Sequence, residues 1–227
     1  MTTPARQLPL DLPHEPSYAL EDFLSAPANS EALVAIEAWP QWPGGMLIVT
    51  GPPGSGKSHL GAIWAKRAGA ARARGDGLAG VDLIALSQSR ALFIDDADRI
   101  EQAEASLFHL VNMTRERGVW LLLTAARAPD AWGLAKADLR SRLRLAPLAR
   151  LGEPDEALAR AVLVKLFADR QLIVEPPVVD YIALRIERSL GAARTVVAAL
   201  DREALARGRP ITKPMVSAIL NDAAGGG

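Results

Sequence analysis

The sequence predicts an α/β fold, a parallel sheet held between helices and followed by a smaller, all-helical subdomain. Three observations carry that prediction. Short apolar runs at 46–50, 91–96 and 119–124 alternate with stretches of helical periodicity, the order that right-handed βαβ crossovers need. A glycine-rich segment, Gly51-Pro52-Pro53-Gly54-Ser55-Gly56-Lys57-Ser58, joins the first of those runs to a helical stretch. After Leu148 the strand-like runs stop, and apolar residues recur only at helical spacing.

Residues 1–17 contain Pro4, Pro9, Pro13 and Pro16, too many for a helix, and read as an extended tail. Inside it, Leu8, Leu10 and Leu12 of Gln7-Leu8-Pro9-Leu10-Asp11-Leu12 have no evident core to join. An unburied apolar cluster of this kind suits a docking peptide, although an ordinary tail with a few leucines is the plain alternative. From 18 to 39 the pattern is helical, with a cap expected at Asn29 or Ser30, and Trp39 to Gly45 turns the chain into the strand at 46–50. Residues 69–80 read as an exposed loop or weak edge element, and 81–86 as a strand.

The run Ala91-Leu92-Phe93-Ile94-Asp95-Asp96 places two acids at the carboxyl end of a buried strand, where ligands of open α/β sheets sit. A helix over 104–117 ends at Gly118, and the near-continuous apolar run 119–124 predicts a strand covered on both faces. Asp138-Leu139-Arg140-Ser141-Arg142-Leu143-Arg144 sets three arginines at alternate positions on a helix-to-strand turn, either a solvated basic edge or a guanidinium projecting onto a neighbour's phosphates. Helices follow over 153–171, 176–189 and 191–206, with Arg194 near the start of the third, and a last short one behind Thr212. The expected domains are a tail at 1–17, an α/β core at 18–150, a helical lid at 151–221 and a disordered tail at 222–227.

The glycine-rich segment matches G-x-x-x-x-G-K-[ST] at every fixed position and sits between strand and helix. There, backbone N–H groups and a helix N-terminus surround a polyphosphate, Lys57 reaches the terminal phosphates and the Ser58 hydroxyl ligates Mg²⁺. The cofactor expected is therefore ADP or ATP with Mg²⁺. A turn that merely joins strand to helix is the alternative. Asp95 would hold the Mg²⁺ through water and Asp96 would polarise the attacking water.

Bulk properties narrow the function further. Lys plus Arg and Asp plus Glu balance at 26 each, so no global field draws the chain onto nucleic acid or an anionic membrane. DNA association is expected only locally or through a partner. The absence of cysteine excludes disulfides and thiolate metal sites and suits a reducing cytoplasm. Histidines at 14, 59 and 109 are too scattered for a metal cluster, and no apolar run approaches the ~20 residues of a membrane span. A soluble cytoplasmic protein with no membrane partner is expected.

Phosphate loop, Asp-Asp strand, arginine-bearing segment and helical lid together resemble an AAA+ ATPase module, and within it the DnaA branch and its Hda family. The resemblance implies a P-loop core with a five-stranded parallel sheet. It implies that Gln7, Leu8, Leu10 and Leu12 bind the β sliding clamp, and that residues 20–29 approach the adenine side. Gly51 to Ser58 and His59 would bind nucleotide. Arg142 would be the arginine finger, Arg194 the lid (sensor 2) arginine and Thr124 the sensor 1 residue. Whether Arg140 or Arg142 is the finger follows from family register and not from spacing. Thr124 is followed by Ala125 and Ala126 where the initiators carry a polar or acidic residue, which implies weak intrinsic hydrolysis. The function implied is regulatory: docked on a DNA-loaded clamp, the chain stimulates ATP hydrolysis by DnaA and restrains initiation of replication. A homodimer of the nucleotide-bound chain fits the same pattern. A DnaC-like helicase-loader or clamp-loader-type ATPase, working through its own ATP cycle, is the alternative.

Overall fold

The computed structural model describes residues 23–100, 102–187 and 189–224. They divide into two compact units, one ending at Asp155 and the other beginning at Glu156.

The first unit is built on β1 (Met46–Thr50), β2 (Ala71–Arg74), β3 (Ala91–Asp95), β4 (Trp120–Ala125) and β5 (Leu148–Arg150). All pairings are parallel and the order is β2-β3-β4-β1-β5, so chain neighbours such as β1 and β2 lie apart and are joined by crossovers. Successive side chains of a strand point to opposite faces. Accordingly Leu47, Val49, Phe93 and Leu122 pack with Leu33 and Ile36 of α1 (Ser30–Glu37) and Leu60, Ile63 and Trp64 of α2 (Lys57–Ala68). Ile48, Leu92, Ile94, Leu121 and Leu123 pack on the other face with Leu107, Leu110 and Val111 of α4 (Glu104–Arg117). Cover on both faces is why these strands read as unbroken apolar runs; each leucine or isoleucine fully buried there is worth about 1.5–3 kcal/mol.

A Cβ on Gly61 would overlap the Phe93 ring, so glycine at this position lets α2 settle directly on β3. That close seating fixes the helix whose N-terminus follows the glycine-rich loop. Gly118 in the left-handed region ends α4, as expected.

Several elements differ from the sequence reading. The strand expected at 81–86 is instead helical, α3 (Leu83–Ser87), with the Asp82 carboxylate accepting from the Ala85 N–H at 3.2 Å. A short apolar run cannot be assigned by periodicity alone, and a local capping bond decided it. Residues 69–80 do supply an edge element, β2, followed by a 3-10 turn at Gly75–Gly80. Asn29 occupies the N-cap position of α1, but its side chain braces the preceding turn, accepting from Ala26 N and donating to Leu24 O. The three alternate arginines lie on a helix, α5 (Ala137–Arg144), rather than on a turn. Leu139 and Leu143, four apart, are its buried face, and the arginines fan around the remainder.

The second unit packs α6 (Glu156–Asp169), α7 (Pro176–Ala183), α8 (Leu190–Arg207) and α9 (Lys213–Ala224) around Leu163, Phe167, Val179, Ile182, Val197, Leu200 and Val216. Proline opens α7 where its missing N–H costs nothing, but the helix ends at Ala183, well short of 189. Ser189 instead caps α8, its hydroxyl accepting from Ala192 N at 3.0 Å. The last helix runs to Ala224, past the expected end of the lid. No described helix is long and apolar enough to cross a membrane.

Candidate functional site

β1 ends at Thr50 and α2 begins at Lys57, so the glycine-rich loop crosses the carboxyl edge of the sheet and feeds a helix N-terminus. Gly54 and Gly56 have φ of 72° and 104°, a backbone that side-chain-bearing residues resist. A Cβ on Gly51 would strike the Leu151 carbonyl oxygen, so the loop needs glycine there to lie against the segment after β5. The Lys57 side chain is buried, and its ammonium donates to the Gly51 carbonyl at 2.8 Å and the Pro52 carbonyl at 2.7 Å. Burial holds its pKa below the ordinary lysine value, while Asp96, Asp95 and Asp98 act in the opposite sense. With the first N–H groups of α2 lacking an intrahelical acceptor, the loop is a cradle of donors and positive charge that suits a polyphosphate.

The acids at the end of β3 face this loop. Asp95 Oδ1 accepts from Ser58 Oγ at 3.0 Å and from the fully buried Thr124 hydroxyl at 2.5 Å. Thr124 in turn accepts from the Asp96 N–H at 3.3 Å, so one residue of β4 holds both acids while Ser58 ties Asp95 to the loop helix. Ser58 and Asp95 thereby place two oxygens side by side. Two protein oxygens completed by phosphate and water are what Mg²⁺ commonly takes, and no cluster of three or more carboxylates or histidines occurs among the described residues.

Asp96 adopts φ of 51°, left-handed for a non-glycine residue, which turns its side chain away from the strand axis. Its Oδ2 accepts from Arg74 Nη2 at 2.9 Å, and the same guanidinium makes a forked contact with Asp76, Nε at 3.2 Å and Nη2 at 3.1 Å. The Arg74 hydrogen bond holds the Asp76 carboxyl below the usual aspartate range. Neither Arg74 nor Asp76 emerged from the sequence. The alternating Ala71-Arg72-Ala73-Arg74 run was the available signal, but which acid an edge arginine meets depends on pairing with β3, 22 positions on.

The remaining expected site residues fall as follows. His59, on the first turn of α2, stacks on Phe23 with ring centroids 5.9 Å apart and planes 20° from parallel. Arg142 is only 26% exposed; it donates to Asp138 at 3.0 Å and lies over the Phe108 ring of α4 at 5.4 Å. Arg140 lies half-buried earlier on α5, and its side chain makes no hydrogen bond or ion pair with another described residue. Arg194 belongs to the second unit, half-buried on α8. Gln7, Leu8, Leu10 and Leu12 lie outside the described residues, as does the 20–22 part of the expected adenine-side segment.

Domain III of the replication initiator DnaA from Thermotoga maritima matches this structure with a TM-score of 0.76 at 21% identity, over 93% of this chain and 98% of that one. The fold is that of an AAA+ P-loop module. DnaA from Aquifex aeolicus bound to AMPPCP matches at a TM-score of 0.69 and 17% identity, over 82% of this chain and 65% of that one. A RuvB variant from Thermotoga maritima matches at 0.68 and 18%, over 90% and 72%. In sequence, the chain is similar to the chromosomal replication initiator protein DnaA of Cutibacterium acnes, 22% identical over 91% of this chain. It spans about half the length of that relative, 46%. No family model matches the chain.

Proposed function

We propose that this chain is a DnaA-related AAA+ nucleotide-binding protein of replication initiation, holding ADP or ATP with Mg²⁺ and acting chiefly on a partner's ATP. The observation that carries the reading is the linked set Lys57, Ser58, Asp95 and Thr124 at the carboxyl edge of the sheet, on a chain whose relatives include nucleotide-bound DnaA. Gly51 to His59 would enclose the phosphates, and Arg194 would serve as the lid arginine. Mg²⁺, when bound at Ser58 and Asp95, would neutralise charge on the terminal phosphates. Asp96 would orient water, and Thr124 would hold Asp95 and Asp96 in register.

Two features support weak hydrolysis by the chain itself. Arg74 already occupies one oxygen of Asp96, and the residue after Thr124 is alanine. The useful guanidinium is then one offered to another molecule. Arg142, or Arg140 on the same helix, would reach ATP held by DnaA, where an arginine supplied in trans accelerates phosphoryl transfer by ~10³–10⁵. Gln7, Leu8, Leu10 and Leu12 would tether the chain to the β sliding clamp, raising the effective concentration of that arginine without a new contact at the reaction. DNA is reached through the clamp, a nucleotide-bound homodimer is compatible with the arrangement, and the cytoplasm is the expected compartment.

The deciding experiment is DnaA ATP turnover with DNA-loaded clamp, comparing wild type, Arg142→Ala, Arg140→Ala and a Leu10→Ala/Leu12→Ala double variant. Loss of stimulation in one arginine variant identifies the finger, and loss in the tail variant identifies the tether. Full activity of both arginine variants would exclude the mechanism. A second reading, a loader-type ATPase driven by its own cycle, is favoured by the intact Asp95, Asp96 and Thr124 network. Rapid turnover by the chain alone would establish it.

A further inference from the structure

At the amino edge of the sheet, away from the glycine-rich loop, lies a cavity of about 460 Å³ lined by residues 88–90 and 117–120. It sits where α4 ends and β3 and β4 begin, with the Trp120 backbone N–H donating to the Arg90 carbonyl at 2.9 Å to fix its floor. Neither the Arg90 nor the Arg117 side chain has a hydrogen-bond or ion-pair partner among the described residues, and both are exposed. No carboxylate lines the cavity. Trp120 is half-buried, its ring held edge-on by Trp39 and Trp42 at 6.4 and 6.3 Å. Trp39 in turn carries Arg67 over its face at 5.6 Å.

We infer that this cavity binds a nucleotide unit, a phosphate beside a flat base, free or within a single-stranded nucleic acid. Two guanidiniums with unused forks suit phosphate oxygens, and an indole fixed by two others is a platform on which a base stacks without sequence preference. The opposing term is the carboxyl end of α4, which brings roughly half a negative charge to Gly118. Arg90 and Arg117 together exceed it about fourfold. Helix-terminal arginines often serve only to offset that half charge. Here the second guanidinium comes from the loop before β3 rather than from α4, and the space between them is large enough for a ligand. Because net charge is zero, the contact is local and its affinity modest.

The test uses the full chain with one equivalent of ADP, enough to fill the glycine-rich loop and no more, repeated without ADP in Lys57→Ala, and titrates a fluorescent oligo-dT, then AMP and pyrophosphate as competitors. Oligo-dT binding that weakens with salt is expected, and Arg90→Gln/Arg117→Gln should flatten the log–log slope by about 0.7, the share of the one phosphate the pair no longer neutralises. Both arginines are exposed, so the variant should fold and keep its ADP affinity. AMP binding abolished by the same pair, without oligo-dT binding, would place a free nucleotide there and support the site equally. No binding of any probe, or binding indifferent to the two arginines, would overturn the inference.

Discussion

Replacing Arg74 with alanine should raise the chain's own rate of ATP hydrolysis. The guanidinium holds Asp96 Oδ2 at 2.9 Å, so a water seeking that oxygen must compete with it. Arg74 is 54% and Asp96 27% exposed, a pair screened by solvent and worth about 0.2–1 kcal/mol. If that whole amount opposes the water's approach, its removal gives roughly a 1.4- to 5-fold increase, since 1.36 kcal/mol is tenfold in rate. Single-turnover hydrolysis with saturating ATP and Mg²⁺ reads this without interference from product release. Arg74→Lys should fall between wild type and alanine, keeping charge but giving up the fork to Asp76. The melting temperature should drop by no more than about 4 °C, the shift of a 1 kcal/mol loss in a chain of this size. A rate that collapses to the level of Asp96→Asn would refute the reasoning and show that Arg74 positions the carboxylate for work.

Thr124→Val removes a buried hydroxyl bonded to both acids at nearly constant volume, and should cost about 1–3 kcal/mol of stability by calorimetry while lowering hydrolysis more than nucleotide affinity. Gly51→Ala sets a methyl group against the backbone of Leu151, which cannot rotate away; denaturant titration should show a loss of about 1–3 kcal/mol, with weakened ADP binding. Lys57 has its pKa lowered by burial, so the unfolded chain binds more protons than the native one between the native and ordinary values. Stability should therefore rise with pH across that alkaline window, below 10.5, while ADP affinity, which needs the ammonium, falls across it; paired melting and binding titrations check both signs.

Much of the α/β core could be read from residue order, because strands buried on both faces announce themselves as apolar runs. Met46–Thr50 and Ala91–Asp95 appear in the structure where the sequence puts them. The phosphate loop was equally legible, since its chemistry is local: glycines for the turn, one lysine, one hydroxyl. What escaped was decided by pairings distant along the chain or by one local bond. β2 has no apolar run, only alternate alanine and arginine, and is a strand because β3 pairs with it. Residues 81–86 have a strand's composition, yet Asp82 turns them into a helix through a bond three residues long. On α5 the alternate arginines gave no hint that Arg142 would lie over Phe108 while Arg140 stays without such a neighbour.

The arginines of β2 have one more effect. This strand ends the sheet, and a flat, apolar rim with open hydrogen-bonding groups would invite the rim of another molecule to add on. Arg74 is matched by Asp76 and Asp96, but Arg72 carries a positive charge unmatched among the described residues on that border, so two copies approaching rim to rim bring like charges together before their backbones can pair. Replacing Arg72 with glutamine should leave the fold intact and yet make concentrated solutions cloud on warming.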